Sequence, residues 1–148
     1  NEMRRREGAF LLADLESRRA GLGETIRQLE QAANEGRDLL SMRLNERIRE
    51  LALDVTPEAA GLAQEIVRFV SRSDVSEELV RFKAHLEHWK MLSDAPDPCG
   101  RKLDFLLQEM NREINTIGSK AEGPRIPELI VHAKAELERM REQVQNVE

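Results

Sequence analysis

Two predicted helices near the middle of the chain carry side chains of the kinds that bind divalent metal ions. Glu78 and His85 are seven residues apart and Glu109 and Glu113 are four apart, so each pair lies on one flank of its own helix. If the two helices pack together, one imidazole and up to three carboxylates converge beside the core. Such a set, with open coordination positions, suits Mn²⁺ or Mg²⁺, as one ion or two.

The same four residues have an ordinary structural interpretation. A Glu beside an apolar seam usually pairs with Arg or Lys, and a single His at the edge of a seam is usually a hydrogen-bonded packing residue. Spacing alone leaves both interpretations open.

Three further polar residues of the second helix indicate anion binding. Asn111 and Asn115 stand in the middle of the helical pattern although Asn is a mediocre helix former, so each needs a compensating contact with a phosphate, a water or the backbone. Arg112 is free either to pair with Glu109 or to reach an anion. The sequence shows no candidate catalytic triad, Gly-rich phosphate loop or Cys cluster.

Composition limits the class of protein. The 148 residues are 40% hydrophobic and 34% charged but only 3% aromatic, which predicts one aliphatic core built from helices. The single Cys99 and the lack of a long apolar run indicate a reducing, cytoplasmic setting with no membrane partner. A net charge of −5 argues against a general nucleic-acid coat, and DNA is not an expected partner. Most of the 23 basic residues are Arg, however, which suits local forked contacts with phosphate.

Apolar periodicity predicts helices in the first half of the chain. The pattern runs from Glu2 to about Ala33, and "NEGR" at 34–37 predicts a break or kink before the pattern resumes at Leu40. Two long helices, or one bent helix, therefore fill the first third. A further helix should start with Thr56 as its cap and Pro57 in its first turn, and should end near residues 71–73.

Two coiled-coil-type seams follow. Asp74 and Glu77 have the spacing of a capping box at the start of the first seam helix. Apolar residues then repeat at 4-3-4-3 spacing in two segments separated by a Pro-containing loop. They are Val75, Leu79, Phe82, Leu86 and Trp89, then Leu103, Leu107, Met110, Ile114 and Ile117. These seams predict an antiparallel hairpin, and a last helix is expected from Leu129 to Val144.

The predicted fold is therefore all-α. A long N-terminal helical arm occupies residues 1–55, and an antiparallel helical bundle with the coiled-coil-like hairpin and the candidate metal site occupies residues 56–148. The chain opens on Asn1 inside a helical pattern, so we expect it to be part of a longer protein.

Several segments resemble a known family. "GRKLDFLLQEMNREINTIGSK" at Gly100–Lys120, "SDVSEELVRFKAHL" at Ser73–Leu86 and the final "REQVQNVE" closely resemble the C-terminal half of the YicC/YloC family of bacterial proteins. "MRRREGAFL" and "RLNERIREL" fit the middle segment of that family, so the resemblance covers nearly the whole chain. The family's N-terminal domain would precede Asn1. Ile114 and the prolines of "EGPRIPELIVHAK" depart from the family pattern and affect packing and the last loop.

The resemblance implies a metal-dependent endoribonuclease that acts on single-stranded RNA and assembles as a ring-like homo-oligomer that clamps its substrate. The family's recurrent polar positions fall on Glu77, Glu78, His85, Glu109, Arg112, Glu113, Asn115 and Lys120. The expected metal ligands are Glu78, His85, Glu109 and Glu113, and the expected catalytic residues are Glu113, Arg112 and Lys120. The metal would lower the pKa of a bound water while Arg112 or Lys120 stabilises charge on the phosphate.

Contacts with RNA are expected mainly from arginine, because the chain has few aromatic residues for base stacking. The candidates are Arg43, Arg47, Arg6 and Asn115. The alternative function is a non-catalytic RNA clamp or adaptor that presents RNA to other nucleases. A third interpretation is structural, with the long arm as an oligomerisation device. We expect the 148 residues alone to be folded but weakly active or inactive.

Overall fold

The computed structural model describes residues 1–52, 57–95 and 98–147, and over these ranges the chain is helical with no strand. The predicted all-α class is confirmed. There are five helices in the described ranges, and their bounds are α1 Glu2–Ala52, α2 Pro57–Arg72, α3 Ser76–Asp94, α4 Gly100–Lys120 and α5 Ile126–Val147. The predicted cap Thr56 lies outside the described residues, whereas Pro57 begins α2 as expected.

Helix α1 is one continuous helix of 51 residues, so a break at residues 34–37 into two helices is wrong, whereas a kink there stays a prediction. No proline interrupts the segment, and a single glycine weakens a helix by only about 1 kcal/mol relative to alanine. Packing easily offsets that cost, because Leu22, Ile26 and Leu29 are fully buried on the same helix.

The middle of α1 belongs to the same buried cluster as α3, α4 and α5. Towards its two ends α1 exposes large apolar side chains, among them Phe10 and Met42. The proposed division into domains 1–55 and 56–148 stays a prediction. The shared core shows how the helices pack, but it does not show whether either part folds independently.

The predicted hairpin is confirmed. All five seam residues of the first segment and all five of the second are buried, and α3 packs along α4. A short connection between two packed helices makes them antiparallel. Trp89, Phe82 and Met110 are among the largest fully buried side chains, so this pair of seams forms much of the core.

The start of α3 differs from the predicted capping box. The helix begins at Ser76, and Val75 at the N-cap position makes no side-chain cap. Asp74 instead accepts hydrogen bonds from the backbone N–H of Ser76, at 3.0 Å, and from its hydroxyl. The Asp therefore stabilises the turn before the helix, as Asx turns do, and Glu77 stays exposed.

Helix α5 begins three residues before the predicted start and ends three residues after the predicted end. Pro127 is accommodated in its first turn, where a backbone N–H has no partner within the helix. Arg18 donates to Glu136 at 3.0 Å, and Gln143 donates to Asp14, so polar contacts join α5 to α1 beside the apolar core.

Two glycines allow α1 to approach the turn between α4 and α5. A Cβ on Gly36 would overlap the carbonyl oxygen of Glu122 and lie 3.0 Å from the Cα of Gly123. Gly123 has a φ of 149°, a conformation that other residues rarely adopt. Gly36 is therefore needed for the close packing of the two segments, which explains a helix-weakening residue inside α1.

We expect Gly36→Ala to destabilise the fold by about 1–3 kcal/mol, because the added methyl group forces two backbones apart. The matched control is Gly21→Ala, since a Cβ at Gly21 meets no atom within 4 Å and alanine is the better helix former. That variant should gain about 0.5–1 kcal/mol. Urea denaturation followed by circular dichroism measures both, and similar stabilities for the two variants would contradict the close contact at Gly36.

Candidate functional site

Two of the predicted metal ligands, Glu78 and Glu113, are buried together in an ion-pair cluster between α3 and α4. The Nε of Arg81 donates to Glu113 Oε1 at 3.0 Å, and its Nη2 lies 3.8 Å from Glu78 Oε1. Lys120 Nζ donates to the same Glu78 oxygen at 2.7 Å. We call Glu78, Arg81, Glu113 and Lys120 the hairpin cluster. It contains two carboxylates and two cations, so it is formally neutral.

Helical spacing explains how these residues meet. Glu78 and Arg81 are three residues apart on α3, and Glu113 and Lys120 are seven apart on α4, so each pair lies on one face of its helix. The antiparallel seams set the register between the helices. In that register the start of α3 lies beside the end of α4, which brings Glu78 to Lys120 and Arg81 to Glu113.

The cations keep both carboxylates compatible with burial, since Glu78 is 4% exposed and Glu113 is 6% exposed. Burial acts to raise the pKa of Glu78, but the hydrogen bond from Lys120 and the nearby charge of Arg81 outweigh it, and the pKa of Glu78 is lowered. The hydrogen bond to Glu113 raises the pKa of Arg81. Both pKa shifts favour the charged forms of Glu78 and Arg81.

The other two predicted ligands, Glu109 and His85, make no ion pair with the four residues of the hairpin cluster. Glu109 is partly buried and lies 3.9 Å from Nη1 of Arg112 on its own helix. His85 is partly buried on α3. Within residues 1–52, 57–95 and 98–147, no group of three or more His, Cys, Asp or Glu side chains is arranged to hold a metal ion. The four-ligand metal site stays a prediction.

The remaining predicted site residues are on the surface. Arg112 has a side chain that is 76% exposed, and Asn115 is exposed on the same helix. Arg47 pairs with Glu50 at 3.1 Å in the last part of α1, where Arg43 is also exposed. These side chains are available to a large ligand.

Arg6 is also exposed and lies 3.4 Å from Glu2, far along α1 from Arg43 in sequence. An exposed pair of this kind contributes little to stability, so it leaves the guanidinium free to exchange partners.

Arg81 is the member of the hairpin cluster that sequence reasoning missed. Its three-residue spacing from Glu78 was the available signal, because residues at that spacing are neighbours on a helix. The contact of the same guanidinium with Glu113 on α4 depends on the register between the two helices, so spacing within α3 does not predict it.

The fold and the cluster define a class of protein: an all-α domain whose central hairpin carries a charge-balanced cluster with two buried carboxylates and with exposed arginines around it. None of the helices in the described ranges has the length and apolar character needed to cross a membrane.

Comparison with known proteins identifies the family. The family described as endoribonuclease YicC-like, C-terminal, matches residues 29–148. A protein of Clostridioides difficile named probable endoribonuclease YicC is 43% identical over 148 residues, which cover 99% of this chain and 50% of that protein. A Haemophilus influenzae protein of the same name is 39% identical over 106 residues, covering 72% of this chain and 36% of that relative.

The chain therefore belongs to the YicC-like endoribonuclease family, which confirms the resemblance of its central segments. It spans half or less of the length of these two relatives.

The arrangement of the hairpin cluster predicts that Glu113→Gln destabilises the fold by about 1–2 kcal/mol, because it removes the charge that Arg81 pairs with across the hairpin. Arg81 is about half exposed, so solvent screening keeps the loss below that of a fully buried pair. The control Glu109→Gln should change stability by less than about 0.5 kcal/mol. Chemical denaturation without metal measures both. If Glu113→Gln is as stable as the wild type or more stable, the pairing with Arg81 is contradicted. That result would favour a metal site whose carboxylates repel one another when no metal is bound.

Acid stability provides a separate test of Glu78. Its folded-state pKa lies below the ordinary value of 4.5, so the unfolded chain binds more protons as the pH falls through this range. The stability that Glu78 contributes is present above pH 4.5 and is lost as the pH falls towards the lowered value. Glu78→Gln should therefore lose less stability than the wild type over that interval, measured as urea midpoints at successive pH values.

The control for acid stability is Glu77→Gln, which alters the neighbouring exposed residue and retains Glu78. It should show the wild-type dependence on pH. Identical acid dependence for Glu78→Gln and the wild type would show that the ion pair with Lys120 does not hold Glu78 in its charged form.

Proposed function

We propose that this chain is part of an endoribonuclease that cuts phosphodiester bonds in single-stranded RNA. One observation carries the proposal: over 99% of its length the chain is 43% identical to a protein named probable endoribonuclease. The proposal extends that name to this chain and specifies the strandedness of the substrate, which the family resemblance implies.

The chain's own residues supply two groups suited to phosphate chemistry. Arg112 presents five N–H donors on an exposed side chain and has one carboxylate 3.9 Å away, so its guanidinium is available to a phosphate. Lys120 uses one of its three N–H donors on Glu78 and is 40% exposed. In the proposed reaction both side chains stabilise the negative charge that grows on the phosphoryl oxygens.

Metal dependence is part of the proposal and rests on the family resemblance. A bound divalent ion would supply an activated water. The described residues do not fit such an ion as they stand, because Arg81 and Lys120 already neutralise Glu78 and Glu113, and Glu109 pairs with Arg112. We therefore assign Glu113 a role in holding Arg81 and route no step through a metal on these side chains.

The substrate path and the assembly are also proposals. Arg43 and Arg47 are exposed one turn apart on α1, so both can contact successive phosphates of one strand. Arg6 and Asn115 offer further polar contacts. A homo-oligomer that encloses the strand would bring together arginines that one copy presents singly.

A non-catalytic RNA clamp is the second candidate. It is favoured by the hairpin cluster, whose carboxylates are occupied by cations and so tie two helices together without any chemistry. In this alternative the same surface arginines hold RNA while another nuclease cuts it.

The test is incubation of end-labelled single-stranded RNA with the full-length protein, in Mn²⁺ or in a chelator. We expect cleavage that requires the metal and stays with the protein through purification. Arg112→Ala should lower the cleavage rate by about 100-fold, as the loss of one charge-stabilising donor does. Arg101→Ala, an exposed arginine on the same helix, is the control. Binding without cleavage would favour the clamp, and cleavage that is unchanged by the chelator would refute the metal dependence.

The same assay addresses the 148 residues alone and the α1 arginines. The 148 residues should be folded and should cleave far more slowly than the full-length protein. Arg43→Ala combined with Arg47→Ala should weaken RNA binding equally across sequences and flatten its salt dependence. An unchanged salt dependence would remove these two residues from the RNA path.

A further inference from the structure

A groove of about 440 Å³ lies between the C-terminal end of α2 and the C-terminal end of α4. Its lining combines an aromatic ring, two cations, two hydroxyl groups and one carboxylate. These are Phe69, Arg72, Ser73, Ser119, Lys120 and Glu122. The volume is in the range of sites that hold one small ligand. The groove touches the hairpin cluster only through Lys120.

Phe69 brings an aromatic ring to this surface. Of the four Phe residues, Phe82 is buried in the core, whereas Phe10, Phe69 and Phe105 are exposed. Phe69 is 47% exposed, and its ring forms one wall of the groove. A ring that is half open to solvent and bordered by cations is a surface on which a nucleic-acid base can stack.

The two cations lie within reach of the same ligand. Arg72 follows Phe69 by three residues, so the two side chains lie on one face of α2. In the described part of the chain no carboxylate lies within ion-pair distance of Arg72. Lys120 reaches the groove from α4 with two N–H donors that Glu78 does not use. A phosphate beside the ring would meet both cations.

The oxygen atoms of the wall are mostly acceptors. Ser73 donates its hydroxyl proton to the carbonyl of Val70 at 2.7 Å, and Ser119 donates to the carbonyl of Thr116 at 2.9 Å. Their lone pairs, with the carboxylate of Glu122, remain to accept from a ligand. A ribose offers hydroxyl donors for this purpose, and the 2′-hydroxyl is the one that DNA lacks.

We propose that this groove binds one nucleotide of single-stranded RNA, with the base on Phe69 and the phosphate between Arg72 and Lys120. The proposal rests on the proposed function and adds a substrate subsite to it. An acidic peptide would use the two cations without needing the ring, so dependence on the aromatic character of residue 69 separates the two ligands.

The first test measures binding of a fluorescent oligouridylate to the full-length protein by anisotropy, in a chelator so that no strand is cut. Phe69→Leu keeps an apolar side chain of similar size and removes the ring, and it should weaken binding by about 5-fold or more. Phe69→Trp should keep or strengthen binding. Phe105→Leu, which removes another exposed ring on α4, is the matched control and should bind like the wild type.

The second test varies salt and sugar. Arg72→Ala should reduce the slope of log affinity against log salt by about 0.7, the value for one phosphate contact on a single strand. Arg68→Ala, one turn earlier and paired with Glu65, should leave the slope unchanged. Oligodeoxyuridylate should bind more weakly than oligouridylate, and Phe69→Leu should reduce that difference. Circular dichroism confirms that each variant is folded.

The outcomes distinguish the subsite from the enzyme. Binding that is unchanged in Phe69→Leu, or that depends on Arg72 alone, would overturn the nucleotide groove while leaving RNA cleavage by the full-length protein intact. Binding that depends on Phe69, with no cleavage by the full-length protein, would support the groove and refute the nuclease. A wild type that binds no oligouridylate would overturn both.

Discussion

The structure depends on one packing constraint, the burial of two aliphatic seams against each other between α3 and α4. All ten seam positions are buried, so sliding one helix along the other would expose apolar side chains over several turns. The register of the seams therefore also decides which charged residues on the flanks of the two helices face each other. Once the seams are in register, Glu78 meets Lys120 and Glu113 meets Arg81, so each buried carboxylate has a cation beside it in a mostly apolar interface.

The surface around this hairpin is consistent with a protein that holds a polyanion despite a net charge of −5. Many of the acidic side chains are occupied in short-range pairs within single helices, as in the pairs of Arg19 with Glu16 and Arg27 with Glu24. Other arginines, such as Arg72 and Arg112, lie where a ligand can approach them. The positions of a few guanidinium groups are therefore a better guide to the charge of a ligand than the net charge of the whole chain.

Periodicity predicted the helices and the hairpin because the spacing of apolar residues directly reports a buried helical face. It failed at residues 34–37, where Gly36 is required by a contact with Glu122, more than 80 residues away in sequence. The candidate site was predicted only as a set of flanking residues. Spacing showed that Glu78 and Glu113 lie beside the core, but which cation meets each carboxylate depends on the register between helices. The resemblance identified the family. It indicated which polar positions matter, but not which side chains pair with each other.

The uninterrupted helix α1 has a mechanical consequence. At 1.5 Å per residue its 51 residues span about 75 Å, yet its buried core residues all lie between Leu15 and Ala33. A long helix of this kind acts as a lever with its fulcrum between Leu15 and Ala33. A tilt of about 5° at the fulcrum displaces each tip by about 3 Å, so a small repacking against α5 moves the exposed ends of α1 by a distance comparable to a hydrogen bond.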